Sequence, residues 1–303
     1  MKVLIIGYGS IGRRHHEVLL KSQIVKEIYL VTKQKIEEQI SFKALEDISD
    51  LNVYDYFVIA SETNKHFVQL HYLEERIVGK VILCEKPLFE TKKALHVKNN
   101  SVFVGYVLRF HPLLQKLKVC LKDATILSAN VMCGSYLPHW RTNIDYRDSY
   151  SAKKDQGGGV LLDLSHEIDY IQSLFGKVIA LKSYQMKVSD LEIDSDDLVV
   201  AIGKTSKDTV INFSIDYISK IPHRKILVTT NDKSFELDFI NNSLIQRDKF
   251  GVEEKYAIPG LERNYMFECM HDSILSKGCL ACTFDEGMEV MEVIASIQKD
   301  NNG

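Results

Sequence analysis

Short, unbroken apolar runs recur through the first hundred residues, each followed by a polar or amphipathic stretch. Val3 to Ile6 (VLII), β-branched at three of its four positions, has the pattern of a strand buried on both faces of a parallel sheet. Glu27 to Val31 (EIYLV), Tyr54 to Ala60 (YDYFVIA), Val81 to Cys84 and Ser101 to Leu108 (SVFVGYVL) repeat that pattern. Between them lie a helix with Ile11, Val18 and Leu19 on its apolar side, a short helical pattern over Phe42 to Leu51, and a helix containing His66, Phe67 and Leu70. Strands alternating with helices build a parallel sheet with covered faces. The alternation ends near Leu108, which sets the expected boundary between a first domain, 1–108, and a second, 109–303. The second half carries candidate strands at Ile126 to Cys133, Val178 to Val188, Leu198 to Gly203, Thr209 to Ile215, Lys225 to Thr230 and Ser234 to Phe239. They follow one another with few helices between, some at hairpin spacing such as Asn231-Asp232-Lys233, so an open, mainly antiparallel sheet is expected there. Leu261 to Ser276 and Asp285 to Lys299 have helical patterns, and the terminal helix is free to pack back on the first domain.

A length of 303 residues suits two domains. With 45% hydrophobic residues, 26% charged residues and a formal net charge of -3, the chain reads as a soluble globular protein with no general attraction to nucleic acid or membrane. No apolar run approaches the length needed to cross a bilayer, and Val3 to Ile6 is too short for a signal peptide, so a cytoplasmic protein is expected. The six cysteines are scattered and read as thiols. Cys279 and Cys282 form a C-x-x-C with no second pair or histidine at ligand spacing, so no metal is expected.

The turn after the first strand carries the first candidate chemistry. Gly7, Gly9 and Gly12 form G-x-G-x-x-G between a strand and a helix. The first glycine permits the tight turn, the second admits a pyrophosphate to the backbone, and the third lets helix and strand approach closely. Ser10 and Ile11, with Gly12, then offer helix N-terminal amides to the anion. The second strand ends in Thr32-Lys33-Gln34-Lys35, without the acid that would bind the ribose 2'-hydroxyl of NAD. The balance favours NADP, although Glu37 or Glu38 can still reach back and the basic loop can equally be a solvated surface. Ser61, Thr63, Asn64 and His66 follow another strand, and Glu85-Lys86-Pro87 another. Ligands of an open parallel sheet lie beyond the strands' carboxyl ends, so both loops are expected at the cofactor.

Lys86 is a candidate acid/base group, because a lysine partly removed from water has a lowered pKa and can serve an oxygen whose charge changes. It can equally be a surface lysine of a strand-to-helix loop. Over Gly157 to Phe175 (GGGVLLDLSHEIDYIQSLF), a continuous helix gathers Val160, Leu161, Leu164, Ile168, Ile171 and Phe175 on one side and Asp163, His166, Glu167 and Tyr170 on another. Asp163 and His166 then neighbour each other as an imidazole and its orienting carboxylate, or as part of a solvated face. The irregular segment Leu137 to Ser151 holds the single tryptophan, Trp140, with Arg141 and Tyr150. Aromatic faces with arginines suit a polyhydroxylated or anionic ligand, and a surface loop fastened by Trp140 is the equal alternative.

Together these residues resemble the glucose-fructose oxidoreductase and inositol dehydrogenase family, Gfo/Idh/MocA. The likeness runs through Gly7 to Gly12, Ser61 to His66, Glu85-Lys86-Pro87, Gly105-Tyr106, Arg109-Phe110-His111-Pro112, Gly157 to Asp169 and the tail Ala281 to Ile297. The resemblance implies an α/β chain with an N-terminal Rossmann dinucleotide-binding domain and a C-terminal α+β domain on an open, mainly antiparallel sheet. It also implies NAD(P)-dependent oxidation or reduction of a sugar-like substrate, and a homo-oligomer. Lys86 matches the family lysine that assists proton movement, and His166 and Asp169 match its His-x-x-Asp, with His166 as acid/base. Asp163 is the third catalytic candidate. Two residues separate it from His166 where the family commonly has three, which leaves open whether Asp163 or Glu167 faces the substrate. Arg109, Trp140, Arg141 and Tyr150 join Asp163 and His166 as substrate-binding candidates. A dinucleotide-binding regulator without chemistry, or a reductase of an imine or non-sugar carbonyl, are the alternative functions.

Overall fold

The computed structural model describes residues 1–300 apart from Glu38, Thr142, Asn143, Lys277 and Cys279. Two compact units make up the chain, Met1–Phe110 with Glu262–Met288, and His111–Leu261 with the residues from Glu289 on. The expected division at 108/109 lies close to the first crossing, but the chain also returns to the first unit near its end.

In the first unit, β1 (Lys2–Ile6) leads into α1 (Ser10–Leu20), followed by β2 (Glu27–Val31), a two-residue β3 (Ser41–Phe42), β4 (Tyr56–Ile59), α2 (Thr63–Glu74), β5 (Val81–Cys84) and β6 (Ser101–Val104). The sheet order is β3-β2-β1-β4-β5-β6, every pair parallel. Val3 to Ile6 and Tyr56 to Ile59 are 0% exposed, as continuous apolar runs in a doubly covered sheet require. The helical pattern at Phe42 to Leu51 is realised as two single 3-10 turns, Leu45–Asp47 and Leu51–Val53. No helix links β5 to β6. Glu74, at the end of α2 and 5% exposed, instead accepts from the Lys98 and Asn99 amides and from the Asn100 side chain (2.7, 2.5 and 2.8 Å), fixing the entry to β6.

The second unit opens with α3 (Pro112–Cys120), a helix absent from the sequence expectation, with proline at its first position. There follow β7 (Ile126–Gly134), α4 (Val160–Asp163), α5 (His166–Phe175), β8 (Val178–Met186), β9 (Leu198–Thr205), β10 (Val210–Asp216), β11 (His223–Thr230), β12 (Lys233–Asp238), β13 (Ser243–Asp248) and β14 (Glu253–Ala257). Their order is β14-β13-β12-β11-β7-β10-β9-β8, antiparallel except between β7 and β10. One face buries Val131, Val199, Ile211, Phe213, Ile215, Ile226 and Val228. The other leaves Tyr184, Met186, Val200, Ile202 and Val210 between 43% and 71% exposed. Sequence reading missed β13 and β14, whose strands SLIQRD and EEKYA carry few apolar positions.

Back in the first unit, α6 (Tyr265–Leu275) packs Phe267, Met270 and Ile274 into the core beneath β1 and β4, and β15 (Cys282–Thr283) adds antiparallel to β6. Finally α7 (Phe284–Asp300) begins in the first unit and continues in the second. Among the described residues, no helix is long and apolar enough to cross a membrane. Phe213, 1% exposed on β10, provides a check of strand facing: Phe213→Ala should destabilise the second unit by about 3–5 kcal/mol in denaturant unfolding. A loss below about 1 kcal/mol would mean that the buried face is misassigned.

Candidate functional site

The glycine turn has the geometry a dinucleotide needs. Gly7 has φ +96°, and a Cβ there would lie 2.6 Å from the Ser61 backbone; a Cβ on Gly12 would lie 2.2 Å from the Gly7 carbonyl oxygen. These two glycines let α1 and the β4 loop close onto the turn. A Cβ on Gly9 would meet nothing within 4 Å, so space stands open above the loop. The amides of Ser10, Ile11 and Gly12 at the start of α1 lack intrahelical acceptors and face an anion favourably. The turn therefore fits a pyrophosphate.

At the end of β2, Thr32 is half-buried and Lys33, Gln34 and Lys35 are exposed. Arg13, which sequence reading passed over, donates to the Gln34 side chain at 2.9 Å and lies over the Tyr8 ring. Its signal was its position directly after Gly12. Among the described residues beyond β2, the acidic side chain nearest in sequence is the exposed Glu37; Glu38 lies outside them.

His66 and Glu85 both depart from the expected role of facing a cofactor. The His66 ring, 1% exposed, sits between the Ser61 and Pro87 carbonyls, each 3.1 Å from a ring nitrogen. It braces the loop after β4 against the loop after β5, and burial lowers its pKa. Glu85, 6% exposed, turns into the core to accept from His15 Nε2 at 2.9 Å and from the Lys86 amide at 3.1 Å. Lys86 is half-buried and is the one side chain from Ile82 to Phe89 that is not buried. The Lys86–Pro87 peptide is cis. Arg109, a substrate candidate, is 6% exposed and donates to Glu286 at 2.9 Å within the first unit. Burial pushes the Glu286 carboxyl up, but Arg109 and the Thr283 amide and hydroxyl together hold it below its ordinary value. An arginine so enclosed is a structural partner of α7.

In the second unit the continuous helix expected over Val160 to Phe175 is broken. α4 is started by Asp196, whose carbonyl and carboxylate take the Val160 and Leu161 amides at 3.0 and 2.9 Å. It ends at Leu164, with φ −100° and ψ 28°, and α5 begins at His166. The wheel drawn across both helices fails for this reason, and the polar face is not solvated. Asp163 is 5% exposed and accepts from the Ser151 and Tyr217 hydroxyls, both at 2.6 Å. Glu167, 0% exposed, is held by Arg224 through two bonds of 2.7 and 2.9 Å, and so faces the arginine. Asp169 and Tyr170 are buried as well. From Gly157 to Ile171 the one side chain not buried is His166.

The Leu137 to Ser151 segment folds onto Asp163. Trp140 donates to Ser135 at 2.7 Å and stands edge-on to Tyr217, while Arg141 lies 5.4 Å from the centre of the Tyr150 ring. The Asp163 charge, with burial, pushes the Tyr150 hydroxyl well above its ordinary pKa. A small cavity opens between Trp140, Arg141, Ile144, Tyr146 and Ser151. Trp140, Arg141, Tyr150 and Asp163 therefore form one cluster of aromatic faces, hydroxyls and a guanidinium. Cys282 is buried in β15, and Cys279 lies outside the described residues.

Two family models cover most of the chain: an oxidoreductase-family NAD-binding Rossmann fold over residues 1–106, and the C-terminal alpha/beta domain of the same family over 126–303. The chain belongs to the Gfo/Idh/MocA oxidoreductase family. No curated protein sequence matches it. Solved structures of similar fold include a levoglucosan dehydrogenase in complex with NADH (18% identity, TM-score 0.83, covering 100% of this chain and 97% of that one). Another is the UDP-N-acetylglucosamine 3-dehydrogenase GnnA from Acidithiobacillus ferrooxidans (17%, 0.78, 99% and 97%). A third is the WlbA dehydrogenase from Bordetella pertussis in complex with NADH and UDP-GlcNAcA (16%, 0.79, 99% and 96%). At these identities the likeness establishes the fold: a Rossmann domain joined to a mostly antiparallel α/β domain, as the motifs led us to expect.

Burial lowers the pKa of both His66 and His271. The unfolded chain binds protons as pH falls through the ordinary histidine range near 6.5 while the fold resists them, so stability is full above that range and declines below it. Each such group contributes a slope of up to about 1.4 kcal/mol per pH unit. The thermal midpoint should fall between pH 7.5 and 5.5, and less steeply in His66→Gln; identical slopes for the two proteins would contradict the assignment.

Proposed function

We propose that the protein moves a hydride between a nicotinamide dinucleotide and a sugar, sugar acid or nucleotide sugar, with Lys86 and His166 handling the proton. The observation that carries this reading is selective exposure. In each of the two motif segments one titratable side chain alone is not buried, Lys86 within Ile82 to Phe89 and His166 within Gly157 to Ile171. A bound nicotinamide supplies the hydride acceptor or donor. In the oxidising direction His166 takes the hydroxyl proton as the alcohol becomes a carbonyl, and Lys86 donates a hydrogen bond to that oxygen. The reverse reaction returns the proton by the same route. Asp163, engaged by Ser151 and Tyr217, keeps the hydroxyl cluster in place and does not itself transfer the proton. Trp140, Arg141 and Tyr150 suit a polyhydroxylated or anionic ligand, in keeping with the sugars and nucleotide sugars named for the similar structures.

For the cofactor, Gly7, Gly9, Ser10, Ile11 and Gly12 hold the pyrophosphate, and Thr32, Lys33 and Arg13 lie where an adenosine ribose is bound in this fold. The cationic groups Arg13, Lys33 and Lys35 favour the 2'-phosphate of NADP over NAD. The exposed apolar residues Tyr184, Met186, Val200, Ile202 and Val210 on one sheet face support self-association into a homo-oligomer.

Lys86→Met and His166→Asn should each lower turnover at least roughly a hundredfold on a panel of sugars and UDP-sugars, while NADPH binding, read by fluorescence, stays within about threefold of wild type. Undiminished turnover in either variant overturns that residue's role, and binding without turnover in the wild type across the panel would favour a regulator. NADPH should bind more tightly than NADH, and Lys33→Ala should shrink the difference about fivefold, or about 1 kcal/mol; equal affinities in wild type would overturn the NADP preference.

A further inference from the structure

Behind Glu85 lies a chain of buried polar groups that neither cofactor nor substrate recognition requires. His15 on α1 is 0% exposed, His271 on α6 is 2% and Tyr56 on β4 is 0%. His15 Nε2 lies 2.9 Å from Glu85 Oε1, His15 Nδ1 lies 2.9 Å from His271 Nε2, and His271 Nδ1 lies 2.9 Å from the Tyr56 hydroxyl. A Cβ at residue 105 would come within 2.5 Å of Glu85 Oε1, so the glycine there leaves room for the carboxylate in this pose.

With Glu85 ionised and both rings neutral, one arrangement of protons satisfies every bond. A carboxylate only accepts, so His15 donates from Nε2; a neutral His15 then accepts at Nδ1, which makes His271 the donor from Nε2. His271, kept neutral by burial, accepts at Nδ1 from the Tyr56 hydroxyl. All three bonds run the same way, toward the carboxylate, and bonds aligned in this manner strengthen one another. The far end is closed at Tyr56, so the chain does not conduct protons to solvent. Other groups in the field of Glu85 are Arg14 on α1, His66 on α2 and Cys84 on β5.

The other oxygen of Glu85 receives the Lys86 amide at 3.1 Å, and the next residue, Pro87, presents its carbonyl to His66 at 3.1 Å. Lys86 is thus flanked on both sides by residues that buried histidines hold. We propose that Tyr56, His271 and His15 are positioning residues for Lys86: their one-way hydrogen-bond chain, anchored on α6, fixes the Glu85 carboxylate and with it the backbone that aims the lysine. The consequence for turnover rests on the role proposed for Lys86; the positioning itself does not.

The test therefore reads the loop directly in the full-length protein. Histidine ¹⁵N spectra at pH 7 should show His271 neutral with the proton on Nε2. Amide hydrogen exchange at Lys86 should accelerate at least tenfold in His271→Phe and about threefold in Tyr56→Phe, which loses only a hydroxyl and is the fallback if His271→Phe does not fold. His15→Gln, whose amide can both accept and donate, should stay within about threefold of wild type. Unchanged Lys86 exchange in whichever of His271→Phe and Tyr56→Phe folds, or His271 protonated on Nδ1, would overturn the proposal. Should Lys86→Met retain turnover while these exchange results hold, the catalytic role of Lys86 fails and the positioning chain stands.

Discussion

Glu85 places an ionisable carboxylate, 6% exposed, at the carboxyl end of a central strand. Removing such a group from water costs several kcal/mol unless its oxygens are answered by donors. His15 answers one oxygen and the Lys86 amide the other. Supplying His15 fixes the rotation of α1, and that helix carries at its N-terminus the amides that fit a pyrophosphate. Supplying a partner for His15 draws in α6 from 256 residues further along the chain. The contact between α1 and α6, with the Phe267 ring edge-on to His15, is thus tied to the same carboxylate that borders the candidate catalytic lysine.

The second unit repeats the device with different chemistry. Glu167 is wholly buried and held by Arg224 through two bonds. Burial alone would lower the arginine's pKa, but its neighbours, Glu167 foremost, together raise it above its ordinary value. The residue beside Glu167 is His166, as the residue beside Glu85 is Lys86. In each unit a titratable side chain stands next to a carboxylate that the core holds fast. The peptide linking them is constrained from the inner side, which gives the neighbouring residue a defined backbone direction.

Much of this was legible in the sequence where local geometry decides it. The G-x-G-x-x-G turn, the buried parallel strands and the change to successive strands after Leu108 depend on periodicity and on glycine, and each can be read from a few neighbouring residues. The burial of His15 was legible too, since it shares the spacing of Ile11, Val18 and Leu19 on α1. What the sequence hid was long-range. The helix break at Leu164–Ser165 follows from a cap supplied by Asp196 and from the hydroxyls that draw Asp163 inward. A helical wheel contains none of those partners, and it therefore grouped Asp163, His166 and Glu167 on one polar face. Arg109 was misplaced for a similar reason: Glu286, its partner, lies 177 residues away. β13 and β14 were missed because they are outer strands with a polar alternation.

The choice of histidine rather than lysine or arginine opposite Glu85 has a physical logic. A lysine or arginine there could only donate. An imidazole donates to the carboxylate from one nitrogen and keeps the other for a second partner on α6. The Arg14 guanidinium also lies in the field of Glu85; its pKa is lowered chiefly by burial while Glu85 pulls it the other way. At His271 burial disfavours a second proton. That proton would turn its Nδ1 into a donor and leave Tyr56, which burial holds far above its ordinary pKa, without its acceptor. The low polarity that makes Glu85 expensive to bury is therefore the same property that keeps His271 able to take the Tyr56 hydroxyl.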